Sequence, residues 1–284
     1  MKLRFYKYQG AGNDFLIADN RDGSIALSTE QIAALCDRRY GIGADGLMLL
    51  ESPAAEDGPV DFRMTYYNSD GSGGMMCGNG GRCIVAFAAD MGIKDFRFIA
   101  ADGFHVATLL ADDGRTKTVR LQMKDVCSYE HHDRLEGVDV PSDGYFLDTG
   151  TRHFVRIVDD LDGYDVVGEG RAIRYGGVQL QPVGANVNFI EPSVDGILKV
   201  RTYEKGVEDE TYACGTGIVA SCIAAYKAGM EPTAKDGLNV RYDVKAKRDP
   251  LCVEFRPLAS ADGIAADVYL TGPATYVAEV IVSL

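Results

Sequence analysis

An internal repeat constrains this chain more than any other feature. Thr65-Tyr66 is followed twelve residues on by Cys77-Gly78-Asn79-Gly80, and Thr202-Tyr203 is followed twelve residues on by Cys214-Gly215-Thr216-Gly217. The interval from Thr65 to Thr202 is the same as that from Cys77 to Cys214, and it is close to half the chain of 284 residues. Each copy reads as strand, polar loop, Cys-Gly-x-Gly, then an apolar helix. A single such motif is weak evidence; two in matching settings predict two similar halves, each presenting one cysteine at an equivalent place.

Most of the remaining sequence reads as short strands, rich in β-branched and aromatic residues and punctuated by Gly, Asp or Pro. They fall at Leu3–Gln9, Phe15–Asp19, Leu47–Leu50, Asp61–Tyr67, Phe96–Ala100, His105–Leu110 and Thr118–Met123, then at Tyr145–Asp148, Phe154–Val158, Asn186–Ile190, Leu198–Tyr203, Val240–Val244, Cys252–Arg256 and Ala266–Leu270. A last strand, Thr275–Val282, has no partner implied by its position and is expected to return to the first half. Helices are few. One starts at Ser28, which forms a capping box with Gln31 before an apolar-periodic run to about Arg38. Two more follow Cys77 and Cys214. Many strands with few helices point to an α+β fold rather than a doubly wound parallel sheet. Hydrophobicity falls over Lys124–Gly144, so the expected division is 1–125 with 272–284 against 126–271.

The net charge of −13 disfavours a phosphate-backbone partner, so nucleic-acid binding is not expected. The pattern Met1-Lys2-Leu3-Arg4-Phe5-Tyr6-Lys7-Tyr8 alternates basic and apolar residues and lacks a signal-peptide core, and the longest apolar run, near Ile218 to Tyr226, is too short to cross a bilayer. A cytoplasmic protein with no membrane partner is the expectation. An odd count of seven cysteines fits reduced thiols, and neither Cys-x-x-Cys nor a metal-ligand spacing of histidines occurs. His131-His132, in a charged stretch, reads as a solvated loop. Cys83 and Cys222 lie within apolar helical runs and, with Cys36, Cys127 and Cys252, read as structural.

Two cysteines at helix starts suggest proton transfer. A helix N-terminus presents unpaired N–H groups and partial positive charge, which make a cysteine there more acidic than a free thiol. Flanking glycines let a ligand approach the backbone, and the same N–H groups can hold a carboxylate. Two such copies facing one another would clamp one amino acid. One thiolate would remove the α-proton from one face while the opposite thiol returns a proton to the other. The charge developing on the carbon acid would be stabilised by the fixed donors.

The residues at this point resemble the diaminopimelate epimerase family. Gly10-Ala11-Gly12-Asn13-Asp14-Phe15 looks like its N-terminal signature, as does Arg38-Arg39-Tyr40-Gly41-Ile42-Gly43-Ala44-Asp45-Gly46. The run from Asn68-Ser69-Asp70-Gly71 to Met76-Cys77-Gly78-Asn79-Gly80 is the most specific match, and Asn186-Val187-Asn188-Phe189 and Ala213-Cys214-Gly215-Thr216-Gly217 complete the set. The resemblance implies two pseudo-symmetric domains, each an antiparallel, barrel-like sheet wrapped around a central helix, with the active site in the cleft between them. It implies a homodimer, and interconversion of LL- and meso-diaminopimelate for lysine and peptidoglycan synthesis, with no cofactor, neither pyridoxal phosphate nor metal. Cys77 would take the proton from the LL substrate and Cys214 would supply the new one. Asn13, Asn68 and Asn186 would bind the distal end of the substrate, where Lys205 would also act. Gly78, Asn79, Gly215 and Thr216 would hold the reacting carboxylate. His153 and Glu204 would set the thiol pKa values, Glu204 also contacting substrate.

Three departures from the family pattern fall where the distal end of the substrate should sit. Lys205 stands where arginine is usual, keeping the charge but losing the planar two-pronged grip. The loop from Glu204 to Cys214 is one residue longer, and Gly150-Thr151-Arg152-His153 replaces Gly-Asn-Pro-His. Arg152 is expected to offset the change at Lys205. Two other readings compete. A related two-thiol racemase or epimerase of proline, hydroxyproline or histidine would share the chemistry and differ in the pocket. A thiol redox or binding protein would pair Cys77 with Cys214 but leave the Gly-x-Gly motifs unexplained. Solvent deuterium at the substrate α-carbon separates an epimerase from a binding protein.

Overall fold

The computed structural model describes residues 2–74, 76–193, 195–259 and 263–283, so Met1 of the N-terminal pattern lies outside the described residues. The chain divides into two units, 1–122 with 271–284, and 123–270.

In the first unit, β1 (Lys2–Gly10) turns through Ala11-Gly12, both at positive φ, into antiparallel β2 (Asn13–Asp19). Parallel neighbours need a crossover. The chain makes one through α1 (Thr29–Cys36) before β3 (Gly46–Glu51) pairs parallel to β2. The Ser28–Gln31 capping box starts α1 as read from the sequence. Antiparallel to β3 lies β4 (Phe62–Asn68). A second crossover, α2 (Gly78–Asp90), leads to β5 (Phe96–Ala100), parallel to β4. An antiparallel meander of β6 (Gly103–Asp112) and β7 (Thr116–Gln122) follows. The far end of the last strand, Ala265–Ser283, pairs antiparallel with both β7 and β1. These pairings return to their starting strand, so eight strands close a barrel. Every residue of α2 from Gly78 to Ala88 is buried. A helix enclosed on all sides has to be apolar or small all round, as Cys83-Ile84-Val85-Ala86-Phe87-Ala88 is.

The second unit repeats this order. Its strands begin with β8 (Tyr129–His132), β9 (Gly144–Asp148) and β10 (Arg152–Ile157), each antiparallel to the next. A crossover through α3 (Val166–Gly176) leads to β11 (Asn186–Pro192), parallel to β10, and antiparallel β12 (Leu198–Glu204) follows. β12 makes a short hairpin with β13 (Asp209–Thr211) before α4 (Gly215–Lys227). After β14 (Ala234–Asp236) come β15 (Asn239–Lys245), parallel to β12, and β16 (Pro250–Pro257), antiparallel to β15. The remaining strand is β17 (Ala265–Ser283). Helix α4 is as long as α2, and the two begin at equivalent positions of the sequence repeat, each directly after its cysteine.

The α+β architecture matches the expectation, with refinements. Each sheet is mostly antiparallel but carries two parallel pairs, one at each crossover helix. Helix α3 was not expected, because Gly168 and Gly170 weaken helix propensity inside it. Gly170 is there for closeness: a Cβ at this position would stand 2.8 Å from Tyr203 Cγ. His131-His132 belongs to β8, not to a loop; an outer strand needs no apolar alternation, and the His131 ring lies 4.8 Å from that of Tyr145. The two strands expected at Ala266–Leu270 and Thr275–Val282 are one, because Pro273 pairs across from Thr118 without breaking the ladder.

Candidate active site

Each repeated cysteine is the N-cap of a buried helix. Cys77 (φ −114°, ψ 128°) precedes α2 and Cys214 (φ −98°, ψ 112°) precedes α4, and both are half-buried thiols outside any disulfide. Their carbonyls accept the first intrahelical bonds, from Gly81 N–H at 2.7 Å and Ile218 N–H at 2.8 Å. Gly78-Asn79-Gly80 and Gly215-Thr216-Gly217 form the first turn of each helix, whose N–H groups precede the regular intrahelical bonding. A helix start of this kind can receive an anion, and the chain has two of them.

Around Cys77, three of the segments that carry the resemblance come together. Asn79 Nδ2 donates to Asn13 Oδ1 at 2.6 Å, and Asn13 Nδ2 donates to Asp45 Oδ2 at 3.0 Å. Arg38 bridges Asp14 and Asp45, at 2.6 Å to each, and Lys7 reaches Asp14 at 2.8 Å. Burial pulls the Asp14 carboxyl upward, but Arg38 and Lys7 together hold it below its ordinary value. Beneath them Arg82, fully buried, donates to Asn79 Oδ1 at 2.9 Å and to the Gly78 carbonyl at 3.3 Å. Asn13 and Asn79 are therefore held from behind by charged groups. Asn68 ends β4 and donates to Ser72 Oγ at 2.9 Å, closing its own loop. Asp45, Arg38 and Arg82 were not among the expected site residues. The first two lay inside the motifs that were noticed.

Around Cys214 the support is a chain of neutral groups. Cys214 Sγ lies 3.4 Å from Thr216 Oγ1, which lies 3.0 Å from His153 Nε2. Thr151 Oγ1 meets the same nitrogen at 2.9 Å and Thr216 Oγ1 at 3.0 Å. His153 is fully buried, and removal from water pushes its pKa down to about 3. Glu204 shares a face of β12 with Thr202, whose side chain points to Asn188. Asn186 spans two backbones: it donates to the Arg152 carbonyl at 3.2 Å and accepts from Lys205 N–H at 2.8 Å. The Lys205 side chain is exposed.

Arg152, expected to offset the change at Lys205, has its side chain engaged within the second unit. Its guanidinium lies 4.8 Å over the Phe146 ring and donates to the Leu180 carbonyl at 3.2 Å. The cause is strand alternation, which sends Arg152 to the face of β10 opposite His153. Thr151, the other departure in this segment, joins the hydroxyl pair on His153. Asn188 and Thr202 were missed, although Asn188 lies in the Asn-x-Asn motif and Thr202 in the repeat.

Glu208, in the lengthened loop, takes a positive φ of 60°. Hydrogen bonds from Arg174 first, then from Gly206 N–H, Tyr175 and Tyr203, outweigh its burial and lower its pKa to about 2. Among the described residues no group of three or more His, Cys, Asp or Glu side chains is placed to hold a metal, and no helix is long and apolar enough to cross a membrane.

The diaminopimelate epimerase family model matches residues 5–126 and 145–254. A diaminopimelate epimerase from Flavobacterium psychrophilum is 42% identical over 98% of this chain and 99% of its own. One from Chlorobaculum tepidum is 41% identical over 93% and 95%. Solved structures share the fold at lower identity. A phenazine biosynthesis protein of the PhzF family from Bacillus anthracis has a TM-score of 0.71 at 14% identity, with 100% of each chain covered. A probable proline racemase from Agrobacterium radiobacter has 0.68 at 17%, covering 99% of this chain and 93% of its own.

Proposed function

The chain belongs to the diaminopimelate epimerase family, and from that premise we propose that it interconverts LL- and meso-diaminopimelate by two-base proton transfer, with Cys77 and Cys214 as the two carriers. The observation that carries this reading is the duplicated helix start, which gives each half one thiol beside one set of N–H groups that the helix itself does not engage.

With the LL substrate, the Cys77 thiolate takes the α-proton and the electron pair moves into the carboxylate as an enediolate. The Cys214 thiol delivers a proton to the opposite face, leaving Cys77 as thiol and Cys214 as thiolate. The reverse direction exchanges the roles. Proton transfer by a positioned base contributes roughly 10²–10⁴-fold. The N–H groups of Gly78, Asn79, Gly215 and Thr216 supply the charge stabilisation beyond that, acting where charge develops. Asn13, Asn68, Asn186, Glu204 and Lys205 serve the distal end of the substrate, and His153 with Glu204 tunes the thiols. No organic cofactor or metal enters this scheme. A homodimer in the cytoplasm, acting on a small-molecule substrate in lysine and peptidoglycan synthesis and binding neither nucleic acid nor membrane, completes the proposal.

Incubation with LL-diaminopimelate in heavy water tests it. Wild type is expected to give meso product carrying α-deuterium, and Cys77→Ala and Cys214→Ala no epimerisation. Absence of deuterium with wild type overturns the reaction; epimerisation by either variant overturns the two-thiol mechanism.

A further inference from the structure

Asn188 and His153 are both fully buried, and their contacts dictate where the imidazole proton sits. The Phe154 carbonyl, which can only accept, lies 3.3 Å from Asn188 Nδ2. Thr202 Oγ1 donates to Asn188 Oδ1 at 2.9 Å. The carboxamide is therefore fixed with its NH2 toward β10. Its second hydrogen points at His153 Nδ1, 3.1 Å away. That nitrogen has to accept, because the other tautomer would set N–H against N–H. The imidazole proton is thereby placed on Nε2, facing the hydroxyls of Thr151 at 2.9 Å and Thr216 at 3.0 Å. A hydroxyl that accepts from Nε2–H turns its own proton elsewhere. Thr216 Oγ1 has two such neighbours, the Thr151 hydroxyl at 3.0 Å and the Cys214 sulfur at 3.4 Å; with Thr151 donating to Thr216, the Thr216 proton goes to the sulfur.

We infer that Asn188 is a positioning residue for the reaction: it locks His153 as the Nε2–H tautomer, so that the Thr216 hydroxyl donates to Cys214 and stabilises its thiolate. The depressed His153 pKa, about 3, keeps the ring neutral through the working range, so the lock is tautomeric rather than ionic. Thr202 supports this lock by holding the far end of Asn188. The inference rests on the reading of Cys214 as a proton carrier, and its test uses no turnover.

Histidine labelled with ¹⁵N and long-range ¹H–¹⁵N correlation read the tautomer directly, the His153 signals being those lost in His153→Gln. The expected result in wild type is Nε2–H between pH 5 and 8; an Nδ1–H ring overturns the inference. Asn188→Asp keeps the shape but replaces the donor with an acceptor. The ring proton is then expected at Nδ1 and the Thr216 hydroxyl turned toward Nε2. Alkylation of Cys214 by iodoacetamide at pH 7, scaled to exposed Cys127 in the same molecule, is expected to slow about tenfold, equivalent to one pKa unit. An unchanged ratio overturns the positioning role. Failure of the epimerase reading shows instead as wild type without α-deuterium, whatever the tautomer.

Discussion

At the scale of single residues, the equivalent glycines of the two motifs stand in unlike surroundings. A Cβ on Gly80 would meet Met48 Sδ at 3.4 Å, an ordinary contact. A Cβ on Gly217 would run into the Asn188 carboxamide oxygen and stand 3.2 Å from His153 Cε1. Gly80→Ala is therefore expected to leave stability unchanged or raise it by up to ~1 kcal/mol, since alanine favours a helix. Gly217→Ala is expected to cost about 1–3 kcal/mol through overpacking. Urea midpoints of the two variants check the difference. His153 makes a second prediction. Its folded pKa of about 3 lies below the value near 6.5 of an exposed histidine. Between those values the unfolded chain binds the extra proton. The stability of the neutral ring is complete above pH 6.5 and is lost as pH falls toward 3, with a slope of up to about 1.4 kcal/mol per pH unit. In His153→Gln that part of the slope should vanish, so its stability should fall less than that of wild type between pH 7 and pH 4. Equal losses would contradict the buried neutral ring.

At the scale of elements, the sequence revealed what local pattern encodes and hid what topology encodes. The capping box at Ser28 and the apolar helices after Cys77 and Cys214 were legible because their signals lie within a few residues. The parallel pairs β2–β3 and β10–β11 were not, because pairing direction is fixed by the connection and not by the strands. Helix α3 shows how the gap could have been closed. Its cap, Asp165, is separated from Ser28, the cap of α1, by the same interval that separates Cys214 from Cys77. The repeat interval therefore marks the start of a helix that propensity conceals. Site residues divided the same way. Motifs pointed to Cys77, Cys214, Asn13 and Asn79, whereas Arg82 and Thr202 acquire meaning only once strands and helices bring them under a motif. Asp165 accepts from Gly168 N–H at 2.9 Å, so Asp165→Ala is expected to cost about 1 kcal/mol, read as a lower urea midpoint.

At the scale of the whole molecule, the repeat is carried out in three dimensions by two units with the same order of strands and crossovers. Their side-chain support has diverged, charged under Cys77 and neutral under Cys214. Closure of the first barrel depends on β17, whose far end pairs with β1 and β7. Truncation after Leu270 would leave both strands as open edges. Such a chain is expected to keep slow amide exchange in 123–270 while 1–122 exchanges freely; protection of both segments would show that the barrel closes without this strand. The same strand sets an order of events on the ribosome. Synthesis runs from the N-terminus, so the strands of the first unit emerge early yet wait for residues 271–283 to complete them. The second unit, made later, has its own strands in hand sooner. The half of the chain that is translated first is thus expected to be the half completed last, with its apolar strands lacking their closing partner until then.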